Sequence, residues 1–229
     1  KFGLGASVLR REDAAFITGR GRYTDDITPD GLLHGYVLRS PVAKGTFRIV
    51  SSEAARAAPG VHLVLTGADI PHLGDLRSGA MQKQPDGSRA PTRDIPILCR
   101  DRVNHVGDAV AFIVADTRAL AQDAAELIEI DYEAEEAVAS TEQATERAFE
   151  YRLGDAAKTD LAFAQAAHVT RIRFLNNRLV CNYMEPRAAI GEWSAGEERF
   201  VLTTGSQGVH SVRRIIADQV FGIPHEKLR

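Results

Sequence analysis

Residues 108–134, DAVAFIVADTRALAQDAAELIEIDYEA, constrain the fold more than any other part of the chain. The apolar run at residues 108–116 predicts a buried strand, and the alternating run IEIDYEA predicts a second one. Between them, Leu120, Ala124 and Leu127 recur at helical spacing on one face, and Asp116 is the predicted N-cap of that helix. A strand–helix–strand unit of this kind predicts a mixed α/β (α+β) fold.

The remaining pattern divides the chain into two parts. Residues 71–96 are rich in Gly, Pro, Ser and charge, and predict a long surface loop. Charged residues at 133–150 predict a polar connector with a short helix, and a domain boundary near 140–155. The predicted strands are residues 32–40, 46–51, 61–67, 168–175, 187–193 and 199–204; the predicted helices are residues 53–58, 160–167 and 209–221.

Composition excludes several classes of partner. The chain of 229 residues carries a formal net charge of -3, which gives no basic footprint for nucleic acid. No apolar run reaches the length that spans a membrane, and the first residues lack the apolar core of a signal peptide. Cys99 and Cys181 have no metal-ligand spacing, and we expect two reduced, partly buried thiols in a cytoplasmic protein.

The stretch TTGSQGVHSVRRIIADQVFGIP, residues 203–224, joins small and polar residues to an amphipathic helix. The first N–H groups of a helix have no intrahelical partner, so such a start can receive an anionic or oxo ligand. Gly205 and Gly208 would allow close approach, and Gln207 adds an uncharged amide. The alternative is an ordinary helix start, in which Ser206 caps the helix and Gln207 is solvated.

Two other polar features have structural interpretations as well as functional ones. Glu185 and Arg187 flank Pro186 in an apolar setting, and are predicted to form a structural ion pair; the alternative is that Glu185 is a buried acid. The histidines are dispersed, without the pairing that a metal site needs, so we predict no direct metal ligand in this chain.

Six stretches, in order from about Gly19 to Arg229, resemble the molybdenum hydroxylase large subunit of the xanthine dehydrogenase, aldehyde oxidase and aerobic carbon monoxide dehydrogenase family. They are GRGRYTDDI, LLHGYVLRSPVA, PGVHLVLTGADI, DRVNHVGDAVAFIVADTRALAQDAAELIEIDYE, NNRLVCNYMEPRAAIGEW and TGSQGVHSVRRIIADQVFGIPHEKLR. The MEPRA segment is typical of the bacterial members.

The resemblance implies a domain plan. Residues 1–18 would be a lead-in, 19–140 an α/β hammerhead domain, 141–154 a linker, and 155–229 the first part of a molybdopterin-binding domain. It also implies that Gln207, with Gly208 beside it, contacts the cofactor. In the family, the equivalent glutamine hydrogen-bonds an oxo ligand of the molybdenum, so Gln207 would act without binding the metal directly.

The resemblance further implies hydroxylation of an aldehyde, an N-heterocycle or carbon monoxide, with water as the oxygen source. The cofactor would be molybdenum–molybdopterin in its cytosine dinucleotide form, and partner subunits would carry iron–sulfur clusters and FAD. The family's GGGFG segment and its general-base glutamate are not in this sequence. We therefore expect no catalytic residue here and no activity from this chain alone, which would be a truncated piece or one half of a split subunit.

An alternative of a different class is a non-catalytic binding or assembly module that retains the hammerhead scaffold. Residues encoded beyond Arg229 would separate the two hypotheses, because only the enzyme needs the glycine-rich segment and the late glutamate.

Overall fold

A computed structural model describes residues 3–77, 82–183 and 185–229. It contains five α-helices and ten strands among these residues. The helices are α1 (Asp13–Phe16), α2 (Glu53–Arg56), α3 (Arg118–Glu126), α4 (Ala156–Gln165) and α5 (Val209–Ile215). The strands are β1 (His34–Arg39), β2 (Gly45–Ser51), β3 (Val61–Thr66), β4 (Leu76–Arg77), β5 (Asp94–Ile95), β6 (Arg102–Val103), β7 (Ala109–Ala115), β8 (Glu129–Ala134), β9 (Ala189–Ser194) and β10 (Arg199–Thr204).

The chain forms two compact units. The larger unit contains the described residues of His34–Asn182, together with Gln219–Phe221. The smaller unit contains the described residues of Lys1–Leu33, Tyr183–Asp218 and Gly222–Arg229. None of the helices within the described ranges has the length and apolar character to span a bilayer.

The main sheet of the larger unit has the order β1–β7–β3, and both pairings are antiparallel. Strand β7 is central because β1 and β3 pair with its two edges, and its residues are apolar along their whole length. Helices α2 and α3 pack on this sheet through small side chains. The resulting core consists of Ala55, Val64, Ala111, Ile113, Ala115, Ala121, Ala124, Ala125 and Ile128.

A second sheet has the order β6–β2–β8, again antiparallel. Its core contains Phe47, Cys99, Val103 and Val110. The predicted strands at both ends of α3 therefore exist, but β7 and β8 belong to different sheets. Cys99 is buried as expected, whereas Cys181 is exposed, so the prediction of partial burial is wrong for the second thiol.

Helix α3 begins one residue later than the sequence pattern predicts. Thr117, not Asp116, is the N-cap, and its hydroxyl accepts a hydrogen bond from the Leu120 N–H at 3.2 Å. The Asp116 carboxylate instead contacts His62 Nε2 at 2.7 Å. The helix start therefore depends on a hydroxyl cap rather than a carboxylate cap.

Strands β9 and β10 form the antiparallel hairpin of the smaller unit, and Trp193 packs edge-to-face on Phe200 with ring centroids 4.8 Å apart. The C-terminal residues return to the free edge of β10. The N–H of Arg229 donates to the Phe200 carbonyl at 2.9 Å, and the Leu202 N–H donates to the Arg229 carbonyl at 2.7 Å. Leu228 also forms a parallel bridge with Phe200.

The predicted C-terminal helix changes its hydrogen-bond pattern along its length. Helix α5 gives way to a π-helical segment at Ile216–Phe221, and the left-handed residue Gly222 (φ 61°) ends it. Gly222 ends the helix at the predicted position. Within the larger unit, the N–H of Gly74 donates to the carbonyl of Val220 at 2.8 Å.

Three local predictions are wrong or incomplete. Residues 168–175 form no strand, because no other segment in the described ranges pairs with them. Of the predicted connector at residues 133–150, the first two residues belong to β8 and the rest contains turns but no helix. The loop at residues 71–96 includes the short pair β4–β5, and its residues 78–81 lie outside the described ranges.

Candidate functional site

The connection between β10 and α5 carries the predicted site residues. Strand β10 ends at Thr204, and α5 begins at Val209 with Gly208 as its N-cap. Gly208 is the N-cap, and among the described residues no side chain caps this helix, so the interpretation in which Ser206 is the cap is wrong. The first hydrogen bond of the helix runs from the Val212 N–H to the Gly208 carbonyl at 3.0 Å.

Hydroxyl groups hold the connection at both ends. The Thr204 hydroxyl donates to the Ala188 carbonyl at 2.8 Å, which ties the end of β10 to the chain entering β9. The Ser211 hydroxyl donates to the Gly208 carbonyl at 2.7 Å. A Cβ atom on Gly208 would lie 2.7 Å from Ser211 Oγ, so a larger residue would require that side chain to move.

Gln207 is exposed between these two anchors. Within the described ranges, its side chain has no hydrogen-bond partner, so both its amide N–H and its carbonyl are available to a ligand. The uncapped N–H groups of the first turn of α5 lie directly after it in the chain. The β10–α5 connection therefore presents two kinds of uncharged hydrogen-bond donor, the Gln207 amide and the first backbone N–H groups of α5.

The predicted ion pair between Glu185 and Arg187 is not formed in the described part of the chain. The Arg187 guanidinium lies over the Tyr183 ring, with its carbon 5.8 Å from the ring centroid. The Glu185 carboxylate lies 3.7 Å from the position that a Cβ on Gly205 would occupy. Met184, the first residue of MEPRA, lies outside the described ranges.

A groove beside the same connection was not predicted. Its volume is about 290 Å³, and its lining includes residues of β10, α5 and the C-terminal segment. Arg213 is one of the lining residues, and its Nε atom is buried without a hydrogen-bond partner in the described part of the chain. The sequence gives no signal for this feature, because whether a guanidinium nitrogen is buried depends on tertiary packing.

The titratable groups within the described ranges do not form a metal centre. No group of three His, Cys, Asp or Glu side chains there could hold an ion. Burial, together with the Asp108 carboxylate, raises the pKa of the Cys99 thiol to about 11. Cys99 is therefore a protonated core residue at neutral pH.

Two family models match successive parts of this chain. The model for the a/b hammerhead domain of aldehyde oxidase and xanthine dehydrogenase matches residues 18–136. The model for the molybdopterin cofactor-binding domain matches residues 138–229. The chain belongs to the aldehyde oxidase and xanthine dehydrogenase family. The mixed α/β fold and the family resemblance predicted from the six stretches are confirmed.

Individual family members show the same relationship. The large subunit of nicotine 6-hydroxylase from Paenarthrobacter nicotinovorans is 32% identical over 93% of this chain. Subunit gamma of the 6-hydroxypseudooxynicotine dehydrogenase complex from the same organism is 33% identical over 99% of this chain. The crystal structure of quinoline 2-oxidoreductase from Pseudomonas putida 86 aligns with a TM-score of 0.82, at 34% identity over 98% of this chain.

The chain is much shorter than these family members. It spans 27% and 30% of the two Paenarthrobacter subunits. It spans 29% of the quinoline 2-oxidoreductase chain. The family relationship therefore concerns only the part of each relative that this chain matches.

Proposed function

We propose that this chain is the N-terminal part of the large subunit of a molybdopterin-dependent hydroxylase. The complete enzyme would oxidise an aldehyde, an N-heterocycle or carbon monoxide with water as the oxygen source. The observation that carries the proposal is the match of both family models, in order, over residues 18–136 and 138–229. The names nicotine hydroxylase and quinoline oxidoreductase support N-heterocycles as the first substrates to test.

The domain plan belongs to the same proposal. Residues 1–18 would be a lead-in, residues 19–140 would form the hammerhead domain, and residues 141–154 would be the linker. Residues 155–229 would begin the cofactor-binding domain. We further propose that the enzyme is cytoplasmic and that separate subunits carry its iron–sulfur clusters and FAD.

The donors at the β10–α5 connection fit a molybdenum–molybdopterin cofactor. When bound, this group would supply two-electron oxidation of the substrate. Gln207 would donate its amide N–H to an oxygen ligand of the metal, because the amide is exposed and unpartnered within the described residues. An uncharged amide orients such an acceptor without the larger electrostatic perturbation of a lysine. Gly208 would keep the backbone accessible, and Thr204 and Ser211 would hold the connection.

The experiment uses the full-length large subunit, co-expressed with its partner subunits. Molybdenum content is measured by plasma mass spectrometry. Turnover is measured separately with a nitrogen heterocycle, an aldehyde and carbon monoxide as substrates. We expect stoichiometric molybdenum and turnover with one of these classes. An assembled complex that contains no molybdenum would contradict the proposal and favour a non-catalytic assembly module.

The role of Gln207 is tested in the same assembly. We expect Gln207→Ala to lower kcat by about tenfold to a hundredfold while molybdenum is retained, because it removes an outer-shell hydrogen bond. Gln165→Ala is the control, since Gln165 is an exposed amide on α4, distant in sequence from the connection. Unchanged kcat in Gln207→Ala would remove Gln207 from the site without affecting the family assignment.

A further inference from the structure

The chain contains the tripeptide Pro-Asp-Gly twice, at residues 29–31 and 85–87. The aspartate of each copy is exposed in a turn, and both glycines have a left-handed φ, 74° for Gly31 and 83° for Gly87. In an Asp–Gly pair the backbone nitrogen of glycine can attack the aspartate carboxyl, because glycine has no side chain to obstruct the approach. The two copies therefore place the same reactive pair in two hydrogen-bonding environments.

The turn at Asp86 has hydrogen bonds on both reacting groups. Asp86 Oδ1 accepts from the Ser88 hydroxyl at 2.7 Å and from the Ser88 N–H at 2.9 Å. The hydroxyl bond first, and then the backbone bond, lower the pKa of the Asp86 carboxyl and so disfavour the neutral form that can lose water. The Gly87 N–H donates to the Gln84 carbonyl at 2.9 Å. Attack of the Gly87 nitrogen on the Asp86 carboxyl therefore has to break these bonds first.

The turn at Asp30 leaves both reacting groups available. The bond that closes this turn runs from the Leu32 N–H to the Pro29 carbonyl at 3.2 Å, and involves neither Asp30 nor Gly31. Among the residues that the structure describes, neither the Asp30 carboxyl nor the Gly31 N–H has a hydrogen-bond partner. Nothing lies within 4 Å of a Cβ placed on Gly31, so the surroundings leave space for this turn to change its conformation.

We propose that Asp30–Gly31 is a site of spontaneous isoaspartate formation, and that its hydrogen bonds protect Asp86–Gly87 from the same reaction. The Gly31 nitrogen loses its proton and forms a bond to Asp30 Cγ, and the carboxyl loses its hydroxyl, so that one water molecule leaves and a succinimide forms. Water then adds to the main-chain carbonyl carbon of Asp30 and breaks its bond to the Gly31 nitrogen. One water molecule is lost and one is regained, so the reaction needs no oxidant or reductant.

The product has a longer main chain and a new free carboxylate. Gly31 is then joined to Cγ of residue 30, which inserts one methylene into the chain shortly before β1 begins at His34. The former main-chain carbonyl becomes a carboxylate that accepts a methyl group from S-adenosylmethionine. In that transfer the carboxylate oxygen bonds to the methyl carbon, and S-adenosylhomocysteine leaves. The partner that recognises the modified turn is therefore a carboxyl methyltransferase.

The first test measures isoaspartate at both sites in the full-length large subunit during prolonged warm storage. Proteolytic peptides are fragmented by electron transfer, which distinguishes isoaspartate from aspartate. We expect isoaspartate to form about tenfold faster at Asp30 than at Asp86, which is the factor that corresponds to one net hydrogen bond. Equal rates, a faster reaction at Asp86, or no isoaspartate at Asp30 would each overturn the proposal.

The second test repeats the measurement in urea. Both sites have the same tripeptide sequence, so unfolding removes the difference in their hydrogen bonds. We expect the two rates to become about equal in the unfolded chain. A difference that persists unchanged in urea would assign it to the flanking sequence and would contradict the role of the folded turns.

The third test removes the hydroxyl bond at the protected site. We expect Ser88→Ala to raise the rate at Asp86 by roughly threefold to tenfold and to leave the rate at Asp30 unchanged, because one donor to Asp86 is lost. Ser88→Thr retains a hydroxyl and is the matched control. An unchanged rate at Asp86 in Ser88→Ala would show that this bond does not protect the site.

Methyl transfer gives an independent readout. The aged subunit is incubated with a carboxyl methyltransferase and labelled S-adenosylmethionine, and we expect most of the label on the peptide that contains residue 30. Asp30→Glu retains the charge but would need a larger and more slowly formed ring, so this variant should lose that label. Equal labelling of Asp30→Glu and the unaltered subunit would overturn the proposal. These results do not depend on the proposed function, because neither turn belongs to the β10–α5 connection.

Discussion

The side-chain carbonyl of Gln219 accepts a hydrogen bond from the backbone N–H of Arg77, 142 residues earlier, at 2.9 Å. Beside it, the Gly74 N–H donates to the Val220 carbonyl at 2.8 Å. Both contacts lie within the larger unit, and they attach the segment entering β4 to the π-helical segment. Val220 lies in the last turn before Gly222, where carbonyl groups have no partner within the helix, so its carbonyl can accept from outside the helix.

Gly74→Ala should detach this segment. A Cβ at residue 74 would lie 1.9 Å from the Gln219 carbonyl oxygen, and backbone on both sides leaves little room to adjust. We expect a loss of about 1–3 kcal/mol and faster proteolysis near residues 74–77. Limited trypsin digestion measures this. Gly196→Ala is the control, because nothing lies within 4 Å of a Cβ at that position, and equal digestion of the two variants would contradict the prediction.

Asp108→Ala should destabilise the larger unit. The Asp108 carboxylate accepts from the Asn104 N–H at 2.6 Å and from the His105 N–H at 3.3 Å. Its removal leaves these donors unsatisfied, at a cost of about 1–3 kcal/mol by urea unfolding. Asp108→Asn keeps one acceptor oxygen and should lose less. Asp123→Ala, an exposed position on α3, should stay within about 0.5 kcal/mol, and a comparable loss there would show that the Asp108 contacts are not the cause.

Thr117→Ala should weaken the start of α3 more than Asp116→Ala. Thr117 is the side chain that caps the helix, so its loss should cost about 1 kcal/mol. Asp116→Ala removes only an exposed contact with His62, for which we expect a smaller loss. Amide exchange of residues 118–121 distinguishes the two variants, and the reverse order would restore Asp116 as the effective cap.

Cys99 should make the protein sensitive to alkali. Burial raises the pKa of the Cys99 thiol from 9.0 to about 11, so the unfolded chain loses this proton first. Between about pH 9 and 11 the unfolded state binds fewer protons, and stability falls as the pH rises. Below pH 9 the thiol is protonated in both states and does not change the free energy of unfolding with pH. In Cys99→Ala, unfolding measured from pH 8 to 10.5 should show a shallower alkaline decline, and an unchanged slope would contradict the assignment.

The local sequence pattern predicts those elements whose burial or backbone conformation the residues themselves determine. The apolar residues of β7 and the helical spacing of Leu120 and Ala124 predict the centre of the larger unit, because burial on two faces requires them. The turn at Gly222 was also predictable, since its left-handed conformation favours glycine. The choice between Asp116 and Thr117 as the cap was not, because both residues can cap a helix.

Structure that depends on distant partners could not be predicted. Residues 168–175 have the composition of a strand, but a strand exists only when another edge pairs with it. The location of Gln207 at a helix start follows from the sequence, whereas its proposed role comes from the family resemblance alone. The buried Nε of Arg213 was not predictable, because it arises from how β10, α5 and the C-terminal residues pack together.

The central position of β7 also sets the order of events on the ribosome. Strands β1 and β3 both need β7 as their partner, and β7 begins about 70 residues after β1 ends. At ordinary rates of synthesis, β1 waits roughly 4 to 14 seconds with an unpaired edge. During that interval the residues of β1 have no native partner, so pairing with other chains competes with folding until β7 has emerged.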